Sequence, residues 1–319
     1  MKNALVLSGG SVKGCFQAGA VLAVFESGFM PDIIYGISVG SLNGSFITNA
    51  AGKLYKAKGK LNANDWVTIG QQLRDFWFSE IKKPNDVAIQ RSAVVDVWDI
   101  LWNKFEGLSD TTPINSKVDA ILDIPTMVQA PVKLHVGAVD FLSTTLLFSS
   151  PGDPDFISCL KGSIAIPIAM PPSISQKGEV LFDGGTRDVA PLGHAINIGA
   201  ENIIGILCQS ADLTPVNEGK AFSEKNLMDL ANRIEDIIVN QNVKNDSEWI
   251  TFLNSLLTEV KEKNYTLNTL EGYKLIKHLI IQPANELTIN ITSFTSADIQ
   301  NNFNLGYQTA KEKLAGYIA

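Results

Sequence analysis

The chain has 319 residues, 45% of them hydrophobic and 18% charged, enough to bury a large core and too apolar for a disordered polymer. A net charge of −7 with a pI near 5.1 supplies no basic stripe for phosphate neutralisation, so nucleic acid is excluded as an expected partner. Cys15, Cys159 and Cys208 lack C-x-x-C spacing and none of the three histidines sits in H-E-x-x-H, so no disulfide framework, metal or cofactor is expected. No apolar run reaches the roughly 18 residues of a membrane span, and the apolar run at Ala4–Leu7 is too short for a signal-peptide core, so the expected location is cytoplasmic.

Ala4 to Leu7 reads as a buried strand, followed by the loop Ser8-Gly9-Gly10-Ser11-Val12-Lys13-Gly14 and a helix over Cys15–Phe25. A strand, a glycine loop and a helix opening together form an anion cradle. The loop fits neither nucleotide pattern: Lys13 precedes Gly14 where a Walker loop needs G-K-[ST], and Ser11 stands where a dinucleotide fingerprint needs its second glycine. The other use of such a cradle is an oxyanion hole built from amides near Gly10 and Ser11, with Lys13 either tying the loop down or simply solvated.

Pro31 and Asp32 start a second strand that ends at Ser38, and Gly36-Ile37-Ser38-Val39-Gly40 fits G-x-S-x-G. In that elbow Gly36 and Gly40 let strand and helix approach closely, while Ser38 sits on a strained bend at a helix N-terminus, where developing negative charge is favoured. The pattern alone also fits an ordinary strand-to-helix turn, so its neighbours decide.

Residues from Leu54 to about Phe105 form an aromatic-rich helical stretch holding Trp66, Trp77, Trp98 and Trp102. Trp98, Leu101, Trp102 and Phe105 fall on one helical face, which suits either packing of an inserted layer on the core or a lid that meets lipid. Further on, a helix capped at Ser116, a strand over Val132–Val139 with a hairpin partner at Thr144–Phe148, and a helix from Phe156 to Ala165 are expected. Glu179–Phe182 reads as a strand delivering Asp183-Gly184-Gly185, which could push a carboxylate into a crevice or merely form a hairpin turn. A helix through Ala195, strands at Asn202–Leu207 and Leu279–Gln282, and a closing amphipathic helix capped by Ser296 complete the chain. Strands alternating with helices favour an α/β three-layer sandwich whose mainly parallel central sheet is covered by helices.

The glycine loop, the serine elbow and the strand-end aspartate, in that order, resemble the patatin-like phospholipase family. So do Ser163-Ile164-Ala165-Ile166-Pro167, the double proline at 171 and 172, Asp183-Gly184-Gly185 followed by Pro191, and the closing Gly306-Tyr307 helix. The resemblance implies a lipid acyl hydrolase with Ser38 as nucleophile and Asp183 as its only catalytic partner. It also implies an oxyanion hole from Gly9, Gly10 and Ser11, with Lys13, Gly14, Gly36, Gly40, Gly184 and Gly185 in support. The expected partner is a phospholipid or other acyl-ester lipid, with transient contact at a membrane surface. One departure is Ser11, where the family prefers a third glycine; if that position needs positive φ, serine costs about a kcal/mol, although its N–H donor survives. The implied organisation is one α/β domain over 1–319, with the aromatic insertion at about 54–115 and a peripheral helical region at about 217–275. Two alternatives share these residues: a Ser38–Asp183–His194 triad, and a cleft that binds lipid without turning it over.

Overall fold

The computed structural model describes residues 2–90, 109–210, 227–263, 267, 270 and 273–318. The aromatic stripe from Trp98 to Phe105 and the start of the peripheral region at 217 lie outside them. Strands β1 (Asn3–Leu7), β2 (Ile33–Ile37), β5 (Lys133–Asp140), β9 (Asn202–Ile206) and β10 (Lys277–Ile281) pair in parallel in the order β10-β9-β1-β2-β5. Three more, β6 (Thr145–Ser149), β7 (Ser173–Ile174) and β8 (Val180–Asp183), add antiparallel at the β5 end; β3 (Ile89–Gln90) and β4 (Ser109–Asp110) form a separate pair.

The central strands are apolar on both faces because both faces are covered. Leu5, Leu7 and Ile34 enter one core with helices α1 (Gly14–Glu26), α2 (Val39–Lys58) and α3 (Ala63–Glu80). Ala4, Val6, Ile33 and Tyr35 enter a second core under the helix at Leu192–Asn197 and residues Ile250 and Leu253 of the long helix Leu227–Glu262. This alternation is the period-two side-chain pattern of a strand read out into two layers, and it realises the sandwich expected from the sequence.

Helix α1 is buried at every residue but Glu26, which explains a composition apolar throughout its buried length except at Gln17: it lies between the sheet, α3 and the closing helix Ser296–Ile318. Phe16 and Phe25 are fully buried there, each contributing about 1.5–3 kcal/mol of transfer free energy. In α3, Trp66 and Trp77 are buried, with Trp66 against Phe25 at 5.2 Å between rings. The aromatic stretch therefore packs on the core as far as Glu80.

Two expected caps move. The helix expected to start at Ser116 runs from Thr112 to Ile121, because the Asp110 carboxylate accepts the Thr112 amide (2.9 Å) and Pro113 fits the first turn. The closing helix is capped by Thr295, not Ser296: Asp298 takes the Thr295 amide and hydroxyl, and Thr295 Oγ1 accepts the Asp298 amide (3.3 Å).

Buried Asp140 closes the β5–β6 turn. Its carboxylate accepts Ser143 Oγ (2.6 Å), the Ser143 and Leu142 amides, and the Val180 amide of β8 (3.0 Å). The Ser143 hydroxyl, helped by these amides, holds its pKa below the ordinary aspartate value. A depressed folded-state pKa stabilises the fold above the unfolded value of about 4, and that stabilisation is lost as pH falls through the folded value. Asp140→Ala is therefore expected to lower the urea midpoint at neutral pH and to flatten the acid limb of the stability profile; an acid limb identical to the parent's would contradict this role.

Candidate active site

The register on β5 positions the site. Residues Val136 to Asp140 pair with β6 on one edge, so β2 (up to Ile37↔Gly137) and β8 (from Asp183↔Ala138) share the other. The two strands run in opposite directions and meet end to end, against consecutive residues of β5 about 3.4 Å apart. Strand β2 delivers Ser38 to this junction and β8 delivers Asp183, and both residues are buried. At Gly184 the backbone lies so close that an added Cβ would stand 2.7 Å from the Gly137 carbonyl oxygen.

Ser38 has φ 53° and ψ −126° and precedes the 20-residue helix α2. That conformation is unfavourable for an L-residue and is held by its surroundings. Gly40 lets the first turn of α2 lie on the end of β1, where an added Cβ would stand 2.1 Å from the Leu7 carbonyl oxygen. A hydrogen-bond chain closes the elbow. The Ser41 hydroxyl donates to the Gly36 carbonyl (2.8 Å), so the Ser163 hydroxyl donates to Ser41 Oγ (2.8 Å) while accepting the Ser38 amide (2.9 Å).

The glycine loop lies beside the elbow, with the position of a Gly9 Cβ only 3.2 Å from Ser38 Cβ. The Gly9 amide donates to the Val189 carbonyl (3.0 Å), which removes Gly9 from the expected set of oxyanion donors. The amides of Gly10 and Ser11 meet no acceptor among the described residues. Gly10 has φ 148° and abuts Cys208, and Ser11 has φ 52°, so the position where the sequence departs from glycine does take positive φ. The Lys13 amide closes the turn onto the Gly10 carbonyl (3.0 Å), and Gly14 packs under Val39 and Trp77. Beneath the loop, fully buried Gln17 donates to the Ser8 and Ile206 carbonyls and accepts from Asn43, whose own Oδ1 accepts Trp77 Nε1 (2.9 Å). Sequence reading passed over Gln17, Asn43 and Ser163 as site-forming residues. The signal for Gln17 was a lone amide inside an otherwise apolar helix.

Asp183 caps the short turn Gly184–Thr186, its Oδ1 accepting the Gly185 amide (2.8 Å). An ordinary hairpin is thereby replaced by a turn that pins one carboxylate oxygen. Ser38 and Ser11 face a cleft whose other lining residues, among them Leu42, Trp77, Ile114, Ile164 and Met170, are all apolar.

His194 lies elsewhere. Its ring packs on Phe148 (4.5 Å) and Tyr35 (6.4 Å) and lines a separate polar cavity with Arg187, Asp188 and Asp246. Burial, and then the neighbouring Asp188, push Asp246 up to about 6. His135 bonds Ser150 Oγ (2.9 Å) and stacks on Tyr35, and burial lowers its pKa, as befits a core histidine. All three cysteines are buried and none is in a disulfide. No group of three or more His, Cys, Asp or Glu suited to a metal ion occurs among the described residues.

Residues 5–196 match the sequence model of the patatin-like phospholipases, and the chain belongs to that family. It is 26% identical over 222 residues to the patatin-like phospholipase domain-containing protein 7 of Rattus norvegicus and 25% identical to that of Mus musculus. The match takes in 69% of this chain and only 14% of each relative. Among solved structures, VipD from Legionella pneumophila aligns with 99% of this chain and 67% of its own, at a TM-score of 0.43 and 15% identity.

Ser163→Ala would strand the Ser38 amide in a fully buried position. The expected loss is about 1–3 kcal/mol in urea unfolding, and an unchanged midpoint would show that the chain through Ser163 does not hold the elbow.

Proposed function

We propose that the chain is a serine acyl hydrolase of the phospholipase A or lysophospholipase type, cleaving lipid carboxylic esters through an acyl-enzyme on Ser38. The observation that carries this reading is a strained serine at a helix N-terminus, opening on an apolar cleft beside the loop of Gly10 and Ser11, whose amides meet no acceptor among the described residues. Membership of the patatin-like phospholipases supports lipid acyl hydrolysis in general. The proposed setting is cytoplasmic, with transient contact at membranes.

In the proposed sequence, Ser38 Oγ attacks the ester carbonyl carbon while its proton passes to Asp183. The negative charge that forms on the carbonyl oxygen meets the Gly10 and Ser11 amides and the positive end of α2, an arrangement in which one donor can supply about 100- to 1000-fold in rate. As the C–O bond breaks, protonated Asp183 returns the proton to the departing alcohol. Water then attacks the acyl-serine, gives its proton to Asp183, and the fatty acid leaves as Ser38 is reprotonated. Asp183 suits the base role because its Gly185 bond fixes the carboxylate at the end of β8, against the end of β2. The strain at Ser11 leaves its amide in place as a donor.

Ser38→Ala is expected to lower hydrolysis of a short-chain nitrophenyl ester by more than about 1000-fold and to abolish labelling by a fluorophosphonate. Asp183→Asn is expected to cost about 100- to 10,000-fold, with the fold intact by circular dichroism. His194→Ala should retain activity, because its ring lies against Phe148 and Tyr35. Activity that survives loss of Ser38 would end the acyl-enzyme reading; a parent protein that neither labels nor turns over would leave only a lipid-binding cleft.

A further inference from the structure

Residues 164–175 and 141–152 contain no charged side chain, and the fold brings the two stretches to the same end of the sheet. The Phe141 amide bonds the Val180 carbonyl (2.9 Å) and Ile174 pairs with Val180 across β7, so Phe141, Val180 and Ile174 stand in a row on one face. Phe141 packs on Phe182 at 4.4 Å, and Phe182 belongs to a small core with Ala165, Ala169 and Met170. Above that core the surface is apolar and open: Leu142 is 72% exposed, Ile168 and Ile174 are each 56% exposed and Phe141 is 43% exposed.

Ile168 is the informative residue. The Met170 amide bonds the Ile166 carbonyl (2.9 Å), closing a tight turn with Ile168 at its tip in a left-handed conformation, φ 71°. A β-branched residue is poorly suited to that conformation, and exposure of its side chain to water adds a second cost. The turn is firmly held, since the Ala165 carbonyl accepts the Asp183 amide (2.9 Å) and the Ala169 carbonyl accepts the Ser109 amide (2.9 Å). Both flanks of the tip, Ile166 and Met170, line the cleft that contains Ser38.

We propose that Leu142, Ile168, Ile174 and Phe141 form a docking surface that seats on a zwitterionic phospholipid bilayer and places the mouth of the cleft against it. The inference rests on the lipid hydrolase reading for its choice of occupant: the patch continues the lining of the cleft, so a lipid moving from bilayer to Ser38 stays on apolar surface. The absence of charge in both stretches fits a neutral headgroup layer, whose binding strength follows the apolar area inserted.

Flotation with phosphatidylcholine vesicles tests this in the full chain carrying Ser38→Ala, which binds without digesting the vesicles. Leu142→Asp and Ile168→Asp are each expected to lower vesicle binding about tenfold, and raising the salt should leave the parent's binding unchanged. Ile168→Gly should keep or raise the unfolding midpoint, because it relieves the left-handed strain, and still weaken vesicle binding. With Ser38 restored, Leu142→Asp and Ile168→Asp should hydrolyse a soluble short-chain ester at the parent's rate. Vesicle binding equal in parent and variants, or Ile168→Asp splitting a dimer without altering vesicle binding, would overturn the docking surface, the second result assigning the patch to another copy of the chain. If the variants lose vesicle binding while the parent fails to turn over any ester, the docking surface stands and the hydrolase reading falls.

Discussion

Strand β5 lends one edge to two strands of opposite direction, and the candidate site depends on that junction. Parallel β2 occupies the edge as far as Gly137, and antiparallel β8 takes it over from Ala138. A chain end arriving from each side crowds the seam, which is why Gly184 lies against the Gly137 backbone and Ile37, and Gly137 against the side chains of Ile37 and Phe148. The result of this crowding is that the strand leading to Ser38 and the strand ending in Asp183 stop at consecutive residues of β5, although the two are remote in sequence.

Such a junction stores strain, and buried polar side chains hold it. Ser38 and Ser11 both occupy positive φ, conformations that cost about 1–3 kcal/mol each and persist only where neighbours over-determine them. Around the elbow the neighbours are Ser41 and Ser163; under the glycine loop they are Gln17, Asn43 and Trp77, whose named bonds run in one direction from donor to acceptor. Satisfied networks of this kind rigidify a site in a low-dielectric interior, and a gap in one is costly. Gly9 shows a related division of donors: its amide fastens the loop to Val189, and the two amides after it meet no acceptor among the described residues.

Much of this was legible in the residues. The alternation of apolar runs with helical patterns gave the sandwich, and the Ser38 elbow, the glycine loop and the strand-end Asp183 were each visible as local turn chemistry. What escaped is what depends on register or on distant partners. Nothing near Asp183 in sequence tells that β8 shares an edge with β2, and nothing in the Ser8–Gly14 loop tells that Gly9 bonds residue 189. Ser163 stands in a segment that resembles the family's, yet nothing in that segment tells that its hydroxyl accepts the Ser38 amide. The two misplaced caps have a simpler cause: at residues 110–116 and 295–296 several cap-forming side chains lie side by side, and the one whose carboxylate partner sits at the right spacing prevails.

The long-range bonds of the glycine loop bear on how the molecule is made. Gly9 is anchored by Val189, Ser8 Oγ accepts the Cys208 amide (3.0 Å) and Gln17 reaches Ile206. During synthesis the first strand leaves the ribosome long before any of these anchors exists, so the loop has no means of taking its final shape until residues 189–208 have followed it out. Its geometry is therefore a late event of folding, deferred until the ninth strand has docked beside the first.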